Sequence, residues 1–394
     1  MQTLVSFLLI LFLIAAFLRV DFFFTILYLF CGVYLLSRVW VRHVVDRVRV
    51  RRCFTDHAFS GDQVTVEVAL HNTGWLPAPW LLVGETLPVA LITPPFHREV
   101  LSLGRHGKRS LSYTLHCRHR GYYPIGPLRL QTGDLLGIGH QGQVEVAPDH
   151  LTVYPYVVPM QELGLPTCSP LVALPARSPL FEDPARIMGV RDYQRGDSPR
   201  RIHWTATASA GRLLVKRYQP AIARETLVCL DLDRDDYERR RRYTATELAI
   251  VVAASIANHV VVRERLPVGL ATEAWDPLLE ESARFFLPPR PERAHLMSLL
   301  EVLARVQVTL ATLFADLLRR ESANLPWGAT LTVITGCESD PLFDTLVYLR
   351  RAGFAVALIL VRPERPSSEL QARADLLGVP VHRVWREQDL GTWR

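Results

Sequence analysis

The chain opens on an almost unbroken apolar run, passes into a stretch that alternates with a period of two, and ends in segments where helical and strand periods interleave. Thr3 to Leu18 and Phe22 to Leu36 are apolar, with Arg19-Val20-Asp21 between them. One helix over both would run about 50 Å at 1.5 Å per residue, beyond a hydrocarbon core of roughly 30 Å, and would bury Arg19 and Asp21. Two short helices turning at 19–21 fit the pattern better, so residues 1–43 are expected to form a transmembrane hairpin. The leading Met-Gln-Thr-Leu lacks the basic side chain of a signal peptide. Arg38, Arg42, Arg47, Arg49, Arg51 and Arg52 follow directly. Charge of that sign marks the cytoplasmic flank, which predicts a two-pass membrane protein with both the N-terminus and the soluble body inside.

From residue 44 to 158 the period is two. Val64, Val66, Val68 and Leu70 alternate with Thr65, Glu67, Ala69 and His71. Gly and Pro punctuate short strands at roughly ten-residue intervals, the pattern of a β-sandwich. Residues 159–185 are rich in Pro and small side chains and read as a linker. Beyond it, over 186–394, strands and helices alternate: strands at Glu225–Leu232, Leu266–Ala271, Thr330–Thr335, Ala355–Val361 and Val381–Val384, with an edge strand at Arg284–Leu287. That alternation predicts a doubly wound α/β sheet with helices on both faces. The fold class is therefore multidomain: transmembrane hairpin, β-sandwich, then α/β.

Composition sharpens the picture in two places. Among 394 residues, 49% are hydrophobic and 21% charged, which excludes wholesale disorder. The net charge of +6 is concentrated after the apolar run, where lipid headgroups account for it better than nucleic acid, so no nucleic-acid partner is expected. Six cysteines stand without a Cys-x-x-Cys pair, as in a reducing compartment. Gly104-Arg-His-Gly-Lys-Arg-Ser110 imitates a phosphate loop but misses its spacing. His116 and His119 fall on opposite faces of a strand and make no zinc pair.

Gly189 to Trp204, GVRDYQRGDSPRRIHW, is the densest polar segment. Asp197-Ser198-Pro199 has the composition of a helix start and Gly211 of its end, which puts His203 one turn inside, and Arg212 to Tyr218 reads as a strand. The order Gly-x-Arg-x-Tyr-x-x-Gly-Asp-x-x-Arg-x-Ile-His-Trp, followed by Leu-Val-Lys, resembles the signature of the bacterial domain-of-unknown-function-58 family. Arg120-Gly-Tyr-Tyr-Pro-Ile-Gly-Pro127 with Asp134-Leu-Leu-Gly137 is similar to a second passage of that family. The resemblance covers nearly the whole chain. It implies a von Willebrand factor A-like fold for the α/β part and company with a MoxR-type AAA+ ATPase. That ATPase would supply the energy a chain without a phosphate loop cannot. The chain departs from the family at Ser209, where many members carry Arg.

Two sets of residues carry candidate function. Asp231, Asp233 and Asp235 follow the first α/β strand, where open sheets bind ligands. The A-type loop that the resemblance places here reads Asp-x-Ser-x-Ser and holds a divalent cation such as Mg²⁺. Aspartates replace both serines, and Thr309 or Thr312 would complete the oxygen set. No Asp stands beside Gly336 as the pattern asks, and helix capping or pairing with Arg239–Arg242 explains the carboxylates equally well. The second set is Arg191, Tyr193, Asp197, Arg200, His203 and Trp204, an aromatic and arginine patch of the kind that carries interface energy. No nucleophile elbow accompanies His203. The sequence therefore favours a membrane-anchored scaffold over an enzyme, with a metal-dependent hydrolase or ligand-binding domain as the alternative. It fixes neither the oligomeric state nor any cofactor.

Overall fold

The computed structural model describes residues 6, 10, 12, 13, 21–133, 141–160, 182–194, 199, 202–220 and 225–391. These divide into two compact units, Met1–Tyr156 and Val157–Arg394.

The first unit begins with helix α1 (Asp21–Arg47), which does not stop at Leu36 as the apolar pattern suggests. Nothing from Ser37 to Arg47 breaks a helix, and Val41 and Val44, three residues apart, are buried against the β-structure that follows. Gly142 makes room for that contact, because a Cβ there would meet Val45. The chain passes from α1 into the first strand with no linker. Among the described residues, two helices are long and apolar enough to span a membrane, and burial separates them. Only 6% of the α1 window is covered, against 83% for the window in the helix starting at Arg242. One apolar N-terminal helix is thus available as an anchor. The first arm of the expected hairpin lies largely outside the described residues.

Ten strands follow: β1 (Val48–Cys53), β2 (His57–Phe59), β3 (Gln63–Asn72), β4 (Ala78–Thr86), β5 (Phe96–Leu103), β6 (Lys108–His116), β7 (Gly121–Ile125), β8 (Leu128–Gly133), β9 (Gln141–Val146) and β10 (Asp149–Tyr154). They form sheets β1-β3-β6, β2-β10-β7 and β5-β4-β8-β9. In β3 the predicted alternation appears as burial: Val64, Val66, Val68 and Leu70 are inside. Their partners in one shared core include Leu81, Val83, Leu115, Leu128 and Leu151 from the other sheets. A charged cluster lies inside as well. Arg52 and Glu85 are each 2% exposed at the side chain and joined by Arg52 Nε donating to Glu85 Oε1 at 2.7 Å. Tyr113 donates its hydroxyl to the other Glu85 oxygen, and Arg52 also meets Asp149. Gly126, in the family-like passage, sits at φ 115° where a Cβ would strike the Arg52 guanidinium. Its role is to admit the arginine.

The second unit starts with a hairpin, β11 (Glu182–Asp192) and β12 (Leu214–Pro220), enclosing the short helix α2 (Trp204–Ala210). Then come β13 (Thr226–Leu230), α3 (Arg242–His259), β14 (Val268–Asp276), β15 (Glu281–Arg290), α4 (Arg293–Arg305), α5 (Phe314–Ser322), β16 (Thr330–Thr335), α6 (Asp340–Arg351), β17 (Ala355–Val361), α7 (Ser368–Leu377) and β18 (Val381–Val384). The sheet order is β15-β14-β13-β16-β17-β18, parallel throughout except for β15. Every residue of β13, β16 and β17 is buried, as a sheet covered on both faces requires. Leu227 and Cys229 pack with Phe314, Leu317, Leu342 and Leu346 from α5 and α6, while the largely buried α3 lies against β13, β16 and β17 on the opposite face.

Arg52→Ala strands Glu85 inside the β-core. We expect a loss of about 3–5 kcal/mol in denaturant unfolding of the full chain in detergent, as for other buried pairs broken on one side. A change under about 1 kcal/mol, the scale of a surface pair, would show that the cluster is not a structural tie.

Candidate functional site

Strand order reverses at β13: the next strand in sequence lies on one side and β16 on the other. Crevices at such points, beyond the carboxyl ends of the strands, are where open α/β sheets bind ligands. Asp231 stands there, 2% exposed. Its N–H donates to the Ile334 carbonyl at 2.9 Å, continuing the β13–β16 ladder by one residue. Its carboxyl is already engaged: Thr335 donates its hydroxyl to Oδ2 at 2.7 Å and Asp233 its N–H to Oδ1 at 2.9 Å. The Tyr237 hydroxyl donates to the Asp231 carbonyl at 2.8 Å, and a Cβ on Gly336 would strike the Tyr237 ring. That close approach explains the glycine after Thr335.

The carboxyl of Asp236, a residue the every-second-position pattern of aspartates conceals, also acts on Asp231. Burial, then the Asp236 charge, hold the Asp231 carboxyl well above the usual carboxylate range, against the lowering by Thr335 and the Asp233 N–H. The same burial and the same two carboxyls raise Tyr237. Cys337 is pushed up to about 11, chiefly by burial and then by Asp236, so at neutral pH it is a thiol and a poor nucleophile.

The other two aspartates turn away. Asp233 accepts the Asp235 N–H at 2.9 Å and caps the turn Arg234–Asp236. The Asp235 side chain is 72% exposed, 3.9 Å from both Arg234 and Arg242. The threonine register left open by the sequence resolves to Thr309, which accepts the Arg234 N–H on its carbonyl at 2.8 Å while donating its own N–H to Leu232. Its hydroxyl pairs with Ser282, and Thr312 pairs with Glu273. Among the described residues no group of three or more His, Cys, Asp and Glu side chains is placed to hold a metal ion. Of these three aspartates, Asp231 accepts from protein donors and Asp235 faces arginines. A cavity of about 140 Å³ lies nearby between Ser339 and Ser367, the caps of α6 and α7. Its charges are spent on one another, Arg373 on Asp340 and Glu369, and Glu338 on Arg362.

The signature segment folds differently from its expected helix. Helix α2 starts at Trp204, and His203 is its cap: Nδ1 accepts the Ala206 N–H at 3.2 Å. With no Ser, Thr, Asn or Asp between 199 and 203, the imidazole takes over the capping task. This use of Nδ1 is structural and leaves that nitrogen no role as a general base. Gly211 closes the helix in the left-handed conformation at φ 65°, as its sequence position predicts. Ile202 bridges to Val215, and Thr207 accepts the Leu214 N–H at 3.1 Å on its hydroxyl, so α2 is pinned to β12. Ser209, at the position where the family carries Arg, donates back to Ala206.

What α2 lacks is a buried residue: none of its seven is inside. Trp204 is 67% exposed, and Tyr193, Val190 and Leu213 join it at 37%, 43% and 47%. Arg191 is exposed on the same hairpin and donates to the Asp192 carbonyl. Asp197 and Arg200 lie outside the described residues.

Residues 189–323 match the family model described as "Protein of unknown function DUF58". That segment is DUF58-like. The chain is similar to the uncharacterized protein YeaD of Bacillus subtilis (strain 168), 26% identical over 235 residues. That stretch is 54% of this chain and 52% of YeaD, so the chain spans about half the length of this relative. Among solved structures it resembles the CARDB domain of the PF1109 protein of Pyrococcus furiosus at 15% identity, over 27% of this chain and 86% of that one, with a TM-score of 0.20. It also resembles the alkylpurine DNA glycosylase AlkC of Pseudomonas fluorescens at 12% identity, over 30% and 35%, with a TM-score of 0.19. Likeness at that level carries no argument about this chain.

The DUF58 match runs from the last residues of β11 through α5. It therefore contains the exposed hairpin and helix, the Asp231–Tyr237 loop and Thr309, and stops before β16 and Thr335.

The raised Asp231 carboxyl has a thermodynamic consequence. Above the ordinary carboxyl value of about 4 the unfolded chain has released this proton while the folded chain keeps it. The Asp231 contribution to stability therefore declines as pH rises from there through the folded-state value. Asp231→Asn is expected to flatten that decline between acid and neutral pH and to be as stable as the parent, or more so, at neutral pH. Thermal unfolding at a series of pH values checks this; an unchanged slope with lower stability would show that Asp231 is ionised in the fold.

Proposed function

We propose that this protein is a membrane-anchored scaffold without catalysis of its own, which docks a protein partner on the hairpin and helix of its signature segment. The observation that carries the reading is Trp204. A tryptophan 67% exposed, on a helix that buries none of its residues, gains nothing from its own fold. Large aromatic and arginine side chains left outside in this way are the residues that anchor interfaces. Arg191, Tyr193, His203 and Trp204 then have distinct parts: the first two and the last meet the partner, while His203 holds the helix that presents Trp204. Asp197 and Arg200 complete the set by their place in the signature.

The resemblance to the family proposes the partner, a MoxR-type AAA+ ATPase acting in assembly or maturation of protein complexes. The sheet order, with β15 as the lone antiparallel strand at the edge, supports a von Willebrand factor A-like reading of the second unit. The shared core of the first unit supports a β-sandwich. We place both soluble units on the cytoplasmic side because the arginines cluster after the apolar run, with the N-terminus returned there by a two-pass hairpin.

The alternative is a metal-dependent hydrolase or ligand-binding domain using Asp231, Asp233 and Asp235. The location at the switch point favours it, and the engaged Asp231 and the outward Asp235 weigh against it.

Two measurements separate these readings. In copurification from native membranes, Tyr193→Ala/Trp204→Ala is expected to keep its circular dichroism while losing the ATPase by a factor of about thirty, the scale of an interface hot spot. A folded variant that retains every partner of the parent would overturn the scaffold reading. In calorimetric titration of Mg²⁺, Mn²⁺ and Ca²⁺ into the full chain in detergent, we expect no saturable heat. Saturable binding abolished by Asp231→Ala/Asp233→Ala would install the metal reading instead.

A further inference from the structure

Helix α1 and the β-structure of the first unit meet through two loops whose arrangement the scaffold reading does not use. Residues 73–77 link β3 to β4, and residues 104–107 link β5 to β6. Thr73 donates both its N–H and its hydroxyl to the Arg47 carbonyl, at 3.0 and 2.7 Å. Four residues on, the Pro77 carbonyl accepts the Trp40 indole N–H at 3.1 Å. Trp40 precedes Arg47 by seven residues, about 10 Å of helix. The loop therefore climbs back along α1 toward its apolar part and reaches the level of Val39, the last large apolar side chain exposed on that helix.

Both loops are rigid by construction. Asn72, fully buried, donates its amide to the Leu76 and Gly104 carbonyls at 2.8 and 3.0 Å and accepts the Gly74 N–H at 2.9 Å. His106 in turn donates its N–H to Gly74. Gly74 is held so close to α1 that a Cβ would stand 3.1 Å from that of Arg47. On this fixed frame Trp75 is 60% exposed. Arg105, Lys108 and Arg109 are exposed in and next to the second loop, which Asn72 and His106 tie to the first, and strand register aligns Arg49, His71 and Lys108 across the outer face of the sheet. Arg38 and Arg42 are exposed on the helix itself. The 104–109 run, Gly-Arg-His-Gly-Lys-Arg, contains no acid.

We infer that this face of the first unit, with Trp75 and the basic residues of the 104–109 run, rests on the headgroups of an anionic bilayer. The inference rests on reading α1 as a membrane helix and adds a second contact beside it. Tryptophan belongs at the interface, where its ring is half in apolar surroundings and its N–H in polar ones. A cation near an anionic surface favours it by about fivefold each. Because Asn72 and Arg47 fix the loops to α1, the helix and the loops enter the bilayer surface as one body, which sets the height and tilt of the first unit above the lipid.

The test uses the full chain in nanodiscs of phosphatidylcholine with and without phosphatidylglycerol, prepared with lipids brominated in the upper acyl chain. The emission of Trp75 is isolated as the difference between the parent and Trp75→Phe. That component should be quenched by the brominated lipid, more strongly with phosphatidylglycerol present. Arg105→Glu/Lys108→Glu, which leaves every tryptophan in place, should remove the phosphatidylglycerol dependence. A Trp75 component equally bright over brominated and ordinary lipid, in protein that resists carbonate extraction, overturns the contact while leaving the anchor intact. Release of the chain by carbonate overturns the anchor itself and the contact with it.

Discussion

A carboxyl group buried where the strand order reverses governs the second unit. Asp231 ties β13 to β16 through the Thr335 hydroxyl, folds its own loop through the Asp233 N–H, and feels the charge of Asp236. Tyr237 seals the arrangement from behind, which is possible only because Gly336 has no side chain. At the place where an open α/β sheet ordinarily receives a ligand, the Asp231 carboxyl accepts from the protein's own donors. Trp204 and Tyr193 are exposed on helix α2 and beside β11 of the same unit.

The first unit obeys a different constraint. A helix that is apolar and uncovered at one end is buried at the other, with Val41 and Val44 inside the β-core and no hinge before β1. Such continuity transmits orientation: whatever fixes the helix fixes the strands. Buried Asn72 and the Arg52–Glu85–Tyr113 cluster are the polar counterparts of that rigidity, the first at a strand end and the second tying three strands together. Buried polar groups of this kind are tolerable because they are satisfied.

Much of the fold was legible. The two-residue period of Val64 to Leu70 became β3, and the apolar runs at Thr330–Thr335 and Ala355–Val361 became β16 and β17 with those boundaries. Local signals failed where non-local pairing decided the outcome. Glu182 to Pro184, composed like a linker, is recruited into β11 by pairing with β12. Gln141–Val146 shows little hydrophobic signal and is a strand because β8 lies beside it. At the candidate sites, residue types were readable and geometry was not. The alternation of Asp231, Asp233 and Asp235 points to a shared ligand, yet Asp231 accepts from Thr335 and the Asp233 N–H while Asp235 faces arginines. His203, read as lying inside a helix, caps one, since no better cap stands before it. Nothing in the sequence announces that Trp75 is exposed on loops held by Asn72, because that depends on contacts across three strands.

The most direct measurement of the account is hydrogen–deuterium exchange of the full chain in lipid nanodiscs, with and without the proteins that copurify with it. The account predicts that partner binding slows exchange over residues 189–216, where α2 and its strands lie, and leaves residues 231–237 unchanged. Protection confined to 231–237 and 335–337, with the signature segment unaffected, would contradict it and return the function to the switch-point crevice.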